Sequence, residues 1–378
     1  MDVRGVSALR TGLSCTTIEP GLNGGRLDGI GVYSQALLRH LPAAGCAVQP
    51  YSFGPAARLT AGRPLPLSFA AATLRDLATP SAVRQKMGLD LYHATDYRIV
   101  RMDCPVVATL HDALPIAHPE WCSPKQRRLK NWLQIKAAHK ANHVIAVSQF
   151  AVAELVQCFG VDERRISVVH NGVDESWFTP PPAERCAATL AAHGLRPGYF
   201  LFVGTLQPRK NVERLLQAYL GLPPVLRAAR QLVIVGAPGW RSEALQARIA
   251  AAVQQGENVR WLERLTSQEA LRDLYAGAGA LIYPSLYEGF GIPLLEAFAS
   301  RLPVVASNTT SLPEVTLGAA LEVDPLSVSG IGAAMLDIVR DEALRERCIA
   351  AGERRALELT WAETARRTAA VYHSILLQ

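Results

Sequence analysis

Short apolar runs alternate along this chain with longer segments in which apolar residues recur at helical spacing. Runs of this kind, bounded by glycine and proline, are typical of parallel strands that helices cover on both faces. The pattern therefore predicts an α/β fold. The predicted strands cover residues 89–93, 106–110, 143–147 and 166–170 in the first half, and residues 199–204, 232–236, 259–262, 280–283 and 304–306 in the second half.

The alternation is interrupted at Pro180-Pro181-Pro182 and begins again at Tyr199. A chain of 378 residues with 49% hydrophobic content exceeds the usual size of a domain with a single hydrophobic core and is long enough for two domains. We therefore predict two Rossmann-like domains, over residues 1–180 and 198–360, joined by a linker over residues 181–197. Because ligands of such sheets bind beyond the carboxyl ends of the strands, we expect the two domains to face a central cleft.

The sequence shows no sign of export or membrane insertion. The stretch from Met1 to Leu13 contains Asp2, Arg4 and Arg10 and has no apolar core of signal-peptide length. No uncharged stretch reaches the roughly 18 to 20 residues that a membrane span requires. We therefore expect a cytoplasmic protein.

The cysteines and histidines do not predict a metal centre. The seven cysteines are scattered and odd in number, which indicates reduced packing residues. His111 and His118 lack a third ligand at a typical spacing, so we expect no metal site.

The net charge of +6 suits anionic ligands or surfaces, and its distribution is more informative than its size. From Ser123 to His143 there are six lysine and arginine residues and no acidic residue, interleaved with Leu129 and Trp132. This stretch is compatible with a basic amphipathic helix on an anionic membrane surface, and equally with a solvated helix whose Leu and Trp pack inward. Nucleic-acid binding is disfavoured, because no nucleic-acid motif accompanies the stretch.

Two carboxylates, Glu288 and Glu296, flank a Gly-Phe-Gly-Ile-Pro turn. The glycines allow a tight turn after the strand at 280–283, and Pro293 stands where the first position of a helix favours proline. A strand, a glycine turn and a helix N-terminus form an anion site, because unpaired amides and the positive end of the helix dipole meet there. The plain alternative is a loop carboxylate and a second carboxylate that only complements the helix dipole.

A second phosphate signal follows the strand that ends at Gly204. Arg209 and Lys210 stand between that strand and a helix predicted from Val212. Two cations fixed at such a junction can neutralise a diphosphate and stabilise it as a leaving group. Two adjacent exposed cations without a ligand are the alternative.

The first half offers a glycine turn and one histidine as candidates. Gly29 and Gly31 precede a helix predicted near Val32, so their amides can approach a bound phosphate. They do not complete the dinucleotide fingerprint, which disfavours a nicotinamide enzyme and leaves an unliganded surface turn as the alternative. His111 follows the strand at 106–110 and is therefore expected at its carboxyl end.

Taken together, seven ordered signals resemble the retaining glycosyltransferases of family 4, which have the GT-B fold. The resemblance implies that the N-terminal domain binds the acceptor, that the C-terminal domain binds a nucleotide sugar, and that a helix over 361–378 crosses back to the N-terminal domain. The signals are Gly29-Ile30-Gly31, Thr109-Leu110-His111-Asp112, Ala146-Val147-Ser148, Asn171-Gly172-Val173-Asp174, Gly204 to Asn211, the double-Glu turn with residues 307–315 after it, and the closing Trp361 helix.

The resemblance also implies the reaction and the roles of residues. A sugar would pass from a nucleoside diphosphate sugar to a hydroxyl group with retention at the anomeric carbon and with no required cofactor. Glu288 would bind the donor sugar and Glu296 the nucleotide ribose. The implied catalytic residues are His111, Arg209, Lys210 and Glu288, and the implied donor-binding residues are Gly29, Gly31, Gly204, Gly236, Phe290, Gly291, Ile292, Leu294, Leu295 and Glu296.

The retaining mechanism and the donor stay open at this level. A double displacement needs a carboxylate nucleophile opposite the leaving group, and no residue is identified as one, so we favour a front-face route. The segments at 236–240, 285–293 and 307–315 look most like bacterial mannosyltransferases that build surface polysaccharide on a lipid carrier. We therefore expect GDP-mannose as the donor and a glycan or lipid-linked acceptor, on the inner face of the cytoplasmic membrane.

Several alternatives remain. Within the same fold they are a transferase that uses UDP-glucose or dTDP-rhamnose, and a nucleotide-sugar epimerase. More distant are a glycoside hydrolase or phosphorylase with Glu288 and Glu296 as its acid/base pair, and a non-catalytic scaffold. A scaffold would tolerate loss of Arg209, Lys210 or Glu288, and all three are present.

Overall fold

The computed structural model describes residues 8–25, 27–79, 86–125, 127–265 and 267–377. The chain divides into two compact units. The first holds the residues up to Pro119, Pro124–Gly172 and the residues from Trp361 onward. The second holds Glu120–Ser123 and Val173–Thr360. Each unit is built on a parallel sheet with helices between its strands, which confirms the α/β prediction.

The described strands form one sheet in each unit. The first sheet has the order β3-β2-β1-β4-β5-β6-β7, and the second has the order β10-β9-β8-β11-β12-β13. The strands are β1 (Leu9–Ser14), β2 (Cys46–Ser52), β3 (Arg63–Pro64), β4 (Leu91–Ala94), β5 (Val106–Leu110), β6 (His143–Ala146), β7 (Ile166–Val168), β8 (Tyr199–Val203), β9 (Leu232–Val235), β10 (Val259–Leu262), β11 (Ala278–Tyr283), β12 (Val304–Ser307) and β13 (Leu321–Val323).

The helices connect successive strands, as parallel pairing requires. They are α1 (Pro20–Asn23), α2 (Gly29–His40), α3 (Phe69–Ala78), α4 (Leu114–Ala117), α5 (Arg127–Ala138), α6 (Gln149–Phe159), α7 (Ala183–Ala192), α8 (Val212–Leu220), α9 (Pro224–Ala229), α10 (Glu243–Gln254), α11 (Gln268–Gly277), α12 (Ile292–Ala299), α13 (Leu312–Thr316), α14 (Val328–Arg340), α15 (Glu342–Glu358) and α16 (Trp361–Leu376).

The central strands are buried on both faces. Every residue of β5 is buried, and β5 pairs in parallel register with β4 and β6. Every residue of β9 is buried as well. Apolar runs of this kind bury side chains on both sides of the pleat, which is why they predict a sheet covered by helices on both faces.

Four strands were not predicted from the sequence. Strands β1 and β2 contain polar residues and Pro50, and β3 and β13 are very short. In β1, Gly12 leaves room for its neighbours, because a Cβ atom there would lie 2.5 Å from Leu89 Cδ1 and 2.8 Å from Tyr92 Cδ2. A glycine at this closely packed position interrupts the run of apolar residues by which a buried strand is predicted from the sequence.

The structure has a helix where the sequence predicts a linker over residues 181–197. Helix α7 begins after Pro182, because proline is tolerated just before or within the first turn of a helix. Arg185 donates to Asp273 Oδ1 over 3.0 Å, and Thr189 donates to Asp273 Oδ2 over 2.8 Å. These bonds tie α7 to α11, and residues 181–197 belong to the second unit, which includes Val173–Thr360.

The C-terminal helix α16 is part of the first unit. Tyr372 OH lies 2.6 Å from His93 Nδ1, and His93 Nε2 lies 2.8 Å from Thr109 Oγ1. Tyr33 of α2 shares the same Thr109 hydroxyl over 2.8 Å. Burial lowers the pKa of His93 to about 3, so this imidazole is neutral and joins α16 to β4 and β5.

Candidate functional site

The order of the second sheet predicts a ligand-binding crevice beyond β8 and β11. The chain runs from β8 outward to β10 on one side and from β11 outward to β13 on the other, so the direction of winding reverses between β8 and β11. In open parallel sheets, ligands bind at this reversal, outside the carboxyl ends of the strands. The predicted residues from Gly204 to Lys210 follow β8, and Glu288 follows β11.

Two glycines fix the backbone where β8 and β9 end. Gly204 N donates to Val235 O over 2.9 Å, and Gly236 N donates to Leu262 O over 3.0 Å. Gly236 has a φ of 153°, and a Cβ atom there would collide with the carbonyl oxygen of Gly204. Trp261 donates its indole N–H to Gly236 O over 2.9 Å. The backbones at the ends of β8 and β9 thus lie so close together that there is no room for a side chain at Gly236.

A short 3-10 helix (Pro208–Lys210) carries the two predicted cations. It ends at Asn211, which adopts a left-handed backbone with a φ of 59°. The buried Asn211 amide donates to Pro284 O over 2.8 Å and to Pro325 O over 2.7 Å. The loop after β8 is therefore bonded directly to the loop after β11.

Both cations bind the same carboxylate. Lys210 Nζ donates to Glu288 Oε1 over 2.6 Å, and Arg209 Nη1 donates to Glu288 Oε2 over 2.8 Å. Lys210 also donates to Tyr283 OH over 2.7 Å, and Arg209 donates to Tyr287 O over 3.0 Å. The structure thus brings together Arg209, Lys210 and Glu288, which are distant in the sequence.

The electrostatics of this cluster favour an anion. Burial alone would raise the pKa of Glu288, but Lys210 and Arg209 outweigh it and lower the pKa to about 2. Glu288 is therefore ionised at neutral pH. Two positive charges and one negative charge leave a net charge of +1 in a largely buried cluster, because the three side chains are only 19%, 10% and 7% exposed.

The turn before α12 has the geometry that the glycines predict. Gly291 precedes the helix with a φ of 106°, and a Cβ atom there would lie 2.8 Å from Leu312 Cδ2. Ser311 fixes the turn by donating to Glu288 O over 2.9 Å and to Phe290 O over 3.1 Å. At the start of α12, Pro293 has no N–H and Leu294 N donates to Gly291 O over 3.0 Å, so the positive end of the helix dipole, rather than a row of open amides, favours an anion there.

Glu296 has a different environment from Glu288. It lies on α12 and is part-buried, and Tyr275 of α11 donates its hydroxyl to Glu296 Oε2 over 2.9 Å. Burial raises the pKa of Glu296 to about 7, although the Tyr275 hydroxyl partly opposes the rise. The two carboxylates of the turn therefore differ in charge state near neutral pH.

The first unit holds the remaining glycine candidates at its own winding reversal, between β1 and β4. Gly29 begins α2, and a Cβ atom there would meet no atom within 4 Å. Gly31 N donates to Asp28 Oδ1 over 2.8 Å. That amide is satisfied by the helix cap, so it binds a phosphate only if Asp28 moves.

His111 lies at the carboxyl end of β5, where the sequence places it. It is 8% exposed, and its ring meets Tyr33 edge-on with a centroid distance of 5.0 Å. Its Nε2 lies 3.0 Å from Thr95 O, and because a carbonyl only accepts, Nε2 carries the hydrogen. Burial lowers the pKa of His111, so the ring is neutral and its Nδ1 is an acceptor.

Sequence reasoning missed several polar residues of the site. Tyr275, Tyr283 and Asn211 each bond a predicted residue or fix its loop. Of these, Asn211 lay within a recognised segment, whereas neither tyrosine carries a local signal. Among the described residues, no group of three or more His, Cys, Asp or Glu side chains is arranged to hold a metal ion.

Each half of the chain matches the model of a known glycosyltransferase family. The model for Glycosyltransferase Family 4 matches residues 27–177, and the model for Glycosyl transferases group 1 matches residues 191–355. The two matched regions contain every candidate residue described above.

Individual proteins agree with this result. O-antigen chain mannosyltransferase B of Escherichia coli is 34% identical over 286 residues, which cover 75% of this chain and 74% of that protein. Alpha-maltose-1-phosphate synthase of Mycobacterium tuberculosis is 30% identical over 292 residues, which cover 72% of this chain and 74% of that protein.

The solved structures share the fold. Sucrose-phosphate synthase from Thermosynechococcus elongatus has a TM-score of 0.74 and 21% identity, over 98% of this chain and 99% of that one. With the two parallel sheets and the cluster around Glu288, these comparisons place the chain in family 4 of the glycosyltransferases, and it is an enzyme of the GT-B fold.

Proposed function

We propose that the chain transfers mannose from GDP-mannose to a hydroxyl group of a glycan or lipid-linked acceptor in bacterial surface polysaccharide synthesis, with retention at the anomeric carbon. The observation that carries the proposal is the cluster of Arg209, Lys210 and Glu288 at the winding reversal of the second sheet. A net positive, largely buried cluster beside a helix N-terminus suits a diphosphate that gains charge as it departs.

Each member of the cluster has a defined task in the proposed reaction. The bond between the anomeric carbon and the diphosphate oxygen breaks, and Arg209 and Lys210 stabilise the negative charge that develops on that oxygen. The acceptor oxygen forms the new bond to the same face of the anomeric carbon and passes its proton to the departing phosphate. Positive charge comes from side chains, so we expect the reaction to need no metal ion.

The position of Glu288 supports the front-face route over a double displacement. Both of its oxygens are held by cations, and its pKa of about 2 makes it a weak nucleophile. We propose instead that Glu288 orients the cations and accepts a bond from a hydroxyl of the donor sugar. A glycosyl adduct trapped on Glu288 during turnover and identified by mass spectrometry would overturn this mechanism.

We also propose roles for His111 in the first unit and for Glu296 in the second. The neutral His111 ring offers Nδ1 to a hydroxyl of the transferred sugar, and Glu296 accepts a bond from the ribose of the nucleotide. These roles require no change in the protonation of His111 during the reaction.

The choice of mannose is supported by the name of the Escherichia coli relative, an O-antigen chain mannosyltransferase. The Mycobacterium tuberculosis relative has a different named product, so UDP-glucose and dTDP-rhamnose remain the comparison donors. The glycine turns and the cations recognise the shared diphosphate, so the choice among donors rests on contacts to the base and the sugar.

A lipid-linked acceptor is supported by the surface of α5. None of the described helices combines the length and apolar character that crossing a membrane requires. On α5, however, Leu129 and Trp132 are 56% and 44% exposed among basic residues, so they do not pack inward. A basic helix with exposed apolar side chains suits the surface of an anionic membrane.

The experiment that tests the proposed donor is binding and slow hydrolysis of a panel of nucleoside diphosphate sugars. We expect selective binding of GDP-mannose that is weakened at least tenfold in Arg209→Ala and unchanged in the control Arg347→Ala, whose side chain is exposed on α15. Selective binding of another donor would overturn the choice of mannose. No binding of any nucleotide sugar would overturn the proposed site.

A further inference from the structure

We propose that Tyr275 is a positioning residue for Glu296: it holds Glu296 Oε2 so that Oε1 is presented to the ribose hydroxyls of the donor. The inference deepens the proposed function and rests on the assignment of Glu296 to the ribose. Neither the glycine turn nor the family resemblance singles out Tyr275, which lies on a different helix, α11.

The hydrogen bond between Tyr275 and Glu296 is buried, and the Tyr275 ring is held in place by its neighbours. Tyr275 is 1% exposed, and its hydroxyl lies 2.9 Å from Glu296 Oε2. Trp177 packs edge-on against the Tyr275 ring, with centroids 5.0 Å apart and an interplanar angle of 78°. The Tyr275 side chain has only two torsions, χ1 and χ2, and its ring packs against the Trp177 indole. Its hydroxyl therefore has little freedom to move away from the Glu296 carboxylate.

Helix α11 is itself anchored at the two residues that precede Tyr275. The preceding residue, Leu274, accepts a bond from Tyr199 OH of β8 over 2.5 Å. Asp273 accepts from Arg185 and Thr189 of α7, as described above. The hydroxyl of Tyr275 is therefore fixed relative to the sheet that carries the rest of the site.

Tyr275 also affects the charge of Glu296. A hydroxyl that donates to a carboxylate favours its ionised form, and it opposes the effect of burial here. The described elements packed most closely against α12 are α15, β11, β12 and the segment around Trp177. Their titratable groups, with those just outside them, are Tyr283 of β11, Asp174 and Glu175 beside Trp177, Arg301 after α12, and Glu342, Arg345, Glu346, Arg347, Cys348, Glu353, Arg354, Arg355 and Glu358 of α15. Of these, Glu175 is exposed, and Tyr283 is bonded to Lys210.

The test compares Tyr275→Phe with Tyr219→Phe in the full chain. Both remove the hydroxyl of a buried tyrosine in the second unit, but Tyr219 donates to backbone carbonyls rather than to a carboxylate, with the shortest contact 2.9 Å to Arg230 O. For Tyr275→Phe we expect a donor KM raised about tenfold, as for loss of a bond to a charged group, with a much smaller change in kcat.

The pH profile separates positioning from plain structural support. The donor KM should fall with rising pH as Glu296 ionises and becomes a better acceptor for the ribose hydroxyls. Without the Tyr275 hydroxyl the ionised form is less favoured, so this fall in KM should occur at a higher pH in Tyr275→Phe than in the wild type. It should not move in Tyr219→Phe, because that variant loses stability without altering Glu296. An unchanged donor KM and an unchanged profile in Tyr275→Phe would overturn the inference.

Glu296→Gln distinguishes this inference from the proposed function. If the wild type transfers sugar and Glu296→Gln raises the donor KM, the result for Tyr275→Phe decides the inference. If the wild type transfers sugar but Glu296→Gln leaves the donor KM unchanged, the ribose assignment and the inference both fall. Failure of the wild type to bind or transfer from any nucleotide sugar would instead overturn the proposed function.

Discussion

Glu288 shares its two oxygens between Arg209 and Lys210, and this sharing sets the charge of the whole site. The carboxylate neutralises one of two cations that it also orients. A diphosphate then meets two donors that are already directed, and little reorganisation is needed as its charge develops.

Replacing Glu288 by Gln should separate binding from transfer. The net charge of the cluster rises from +1 to +2, so we expect GDP to bind at least as tightly as it binds the wild type. Transfer should fall by roughly 10²- to 10³-fold, because the cations lose their orientation and the sugar loses a contact. Calorimetry with GDP and a transfer assay measure the two effects. A parallel loss of GDP affinity and transfer would contradict this account.

Glu296 should make the stability of the protein depend on pH. Its pKa is about 7 when folded and near 4.5 when unfolded, so the folded state holds the extra proton between these values. The resulting cost to stability is absent below about pH 4.5 and complete above about pH 7, with an upper limit of ~3 kcal/mol.

Glu296→Gln removes this cost because the amide does not ionise. We therefore expect the variant to gain more stability over the wild type at pH 8 than at pH 5, in urea unfolding followed by fluorescence. Arg347→Ala serves as the control with no such difference. A gain that is larger at pH 5 would contradict the assigned charge state.

Residue types, their local spacing and the family resemblance together predicted Arg209, Lys210, Glu288, Glu296 and His111 as candidate site residues. They did not predict that Glu288 pairs with both cations, because these contacts join segments nearly eighty residues apart. Tyr275 was not predicted either, since a tyrosine on an amphipathic helix is indistinguishable from an ordinary core residue.

At the scale of elements, the site depends on how helices begin after strands. Helix α12 begins after a glycine with a left-handed backbone, and α8 begins after Asn211, also left-handed. These turns direct two helix N-termini toward the carboxyl edge of one sheet, where an anion is stabilised.

Gly291→Ala should damage the start of α12. The positive φ and the close Leu312 side chain both oppose a Cβ atom, so we expect a loss of about 1–3 kcal/mol in unfolding free energy and weaker donor binding. Gly332→Ala is the matched control within α14, where a Cβ atom would lie 3.6 Å from Ala218 O and alanine favours the helix. Equal effects of the two substitutions would contradict the role given to the turn.

Elements with continuous apolar runs were predicted well, and others were missed. Strand β5 has the predicted bounds, because its run of buried, mainly apolar side chains indicates a central strand. Strand β10 also has the predicted bounds, although only Val259 of its four residues is buried. Strands β1 and β2 were missed because glycine, proline and polar residues interrupt their runs, although both lie within the first sheet. Helix α7 was missed because three prolines precede it.

At the scale of the whole chain, the last helix returns to the first unit and completes its core. Trp361 and Tyr372 of α16 are buried there, against Tyr33 of α2 and His93 of β4 respectively. The first unit therefore requires both ends of the chain.

Truncation after Thr360 should destabilise the first unit selectively. Loss of α16 exposes Tyr33 and leaves buried His93 without its Tyr372 partner. In hydrogen-exchange mass spectrometry we expect peptides from α2 and β4 to lose protection. Peptides from α10 should retain it, and loss of protection there to the same extent would contradict the division into units.

The most direct test of the central claim is the release of nucleoside diphosphate and transfer of sugar from GDP-mannose, UDP-glucose and dTDP-rhamnose, with a lipid-linked glycan acceptor. The wild type is compared with Lys210→Ala and the control Arg347→Ala. The account predicts transfer from GDP-mannose with retained anomeric configuration, reduced by roughly 10²-fold or more in Lys210→Ala and unchanged in the control. Full transfer by Lys210→Ala would contradict the assignment of the buried cation cluster as the catalytic centre.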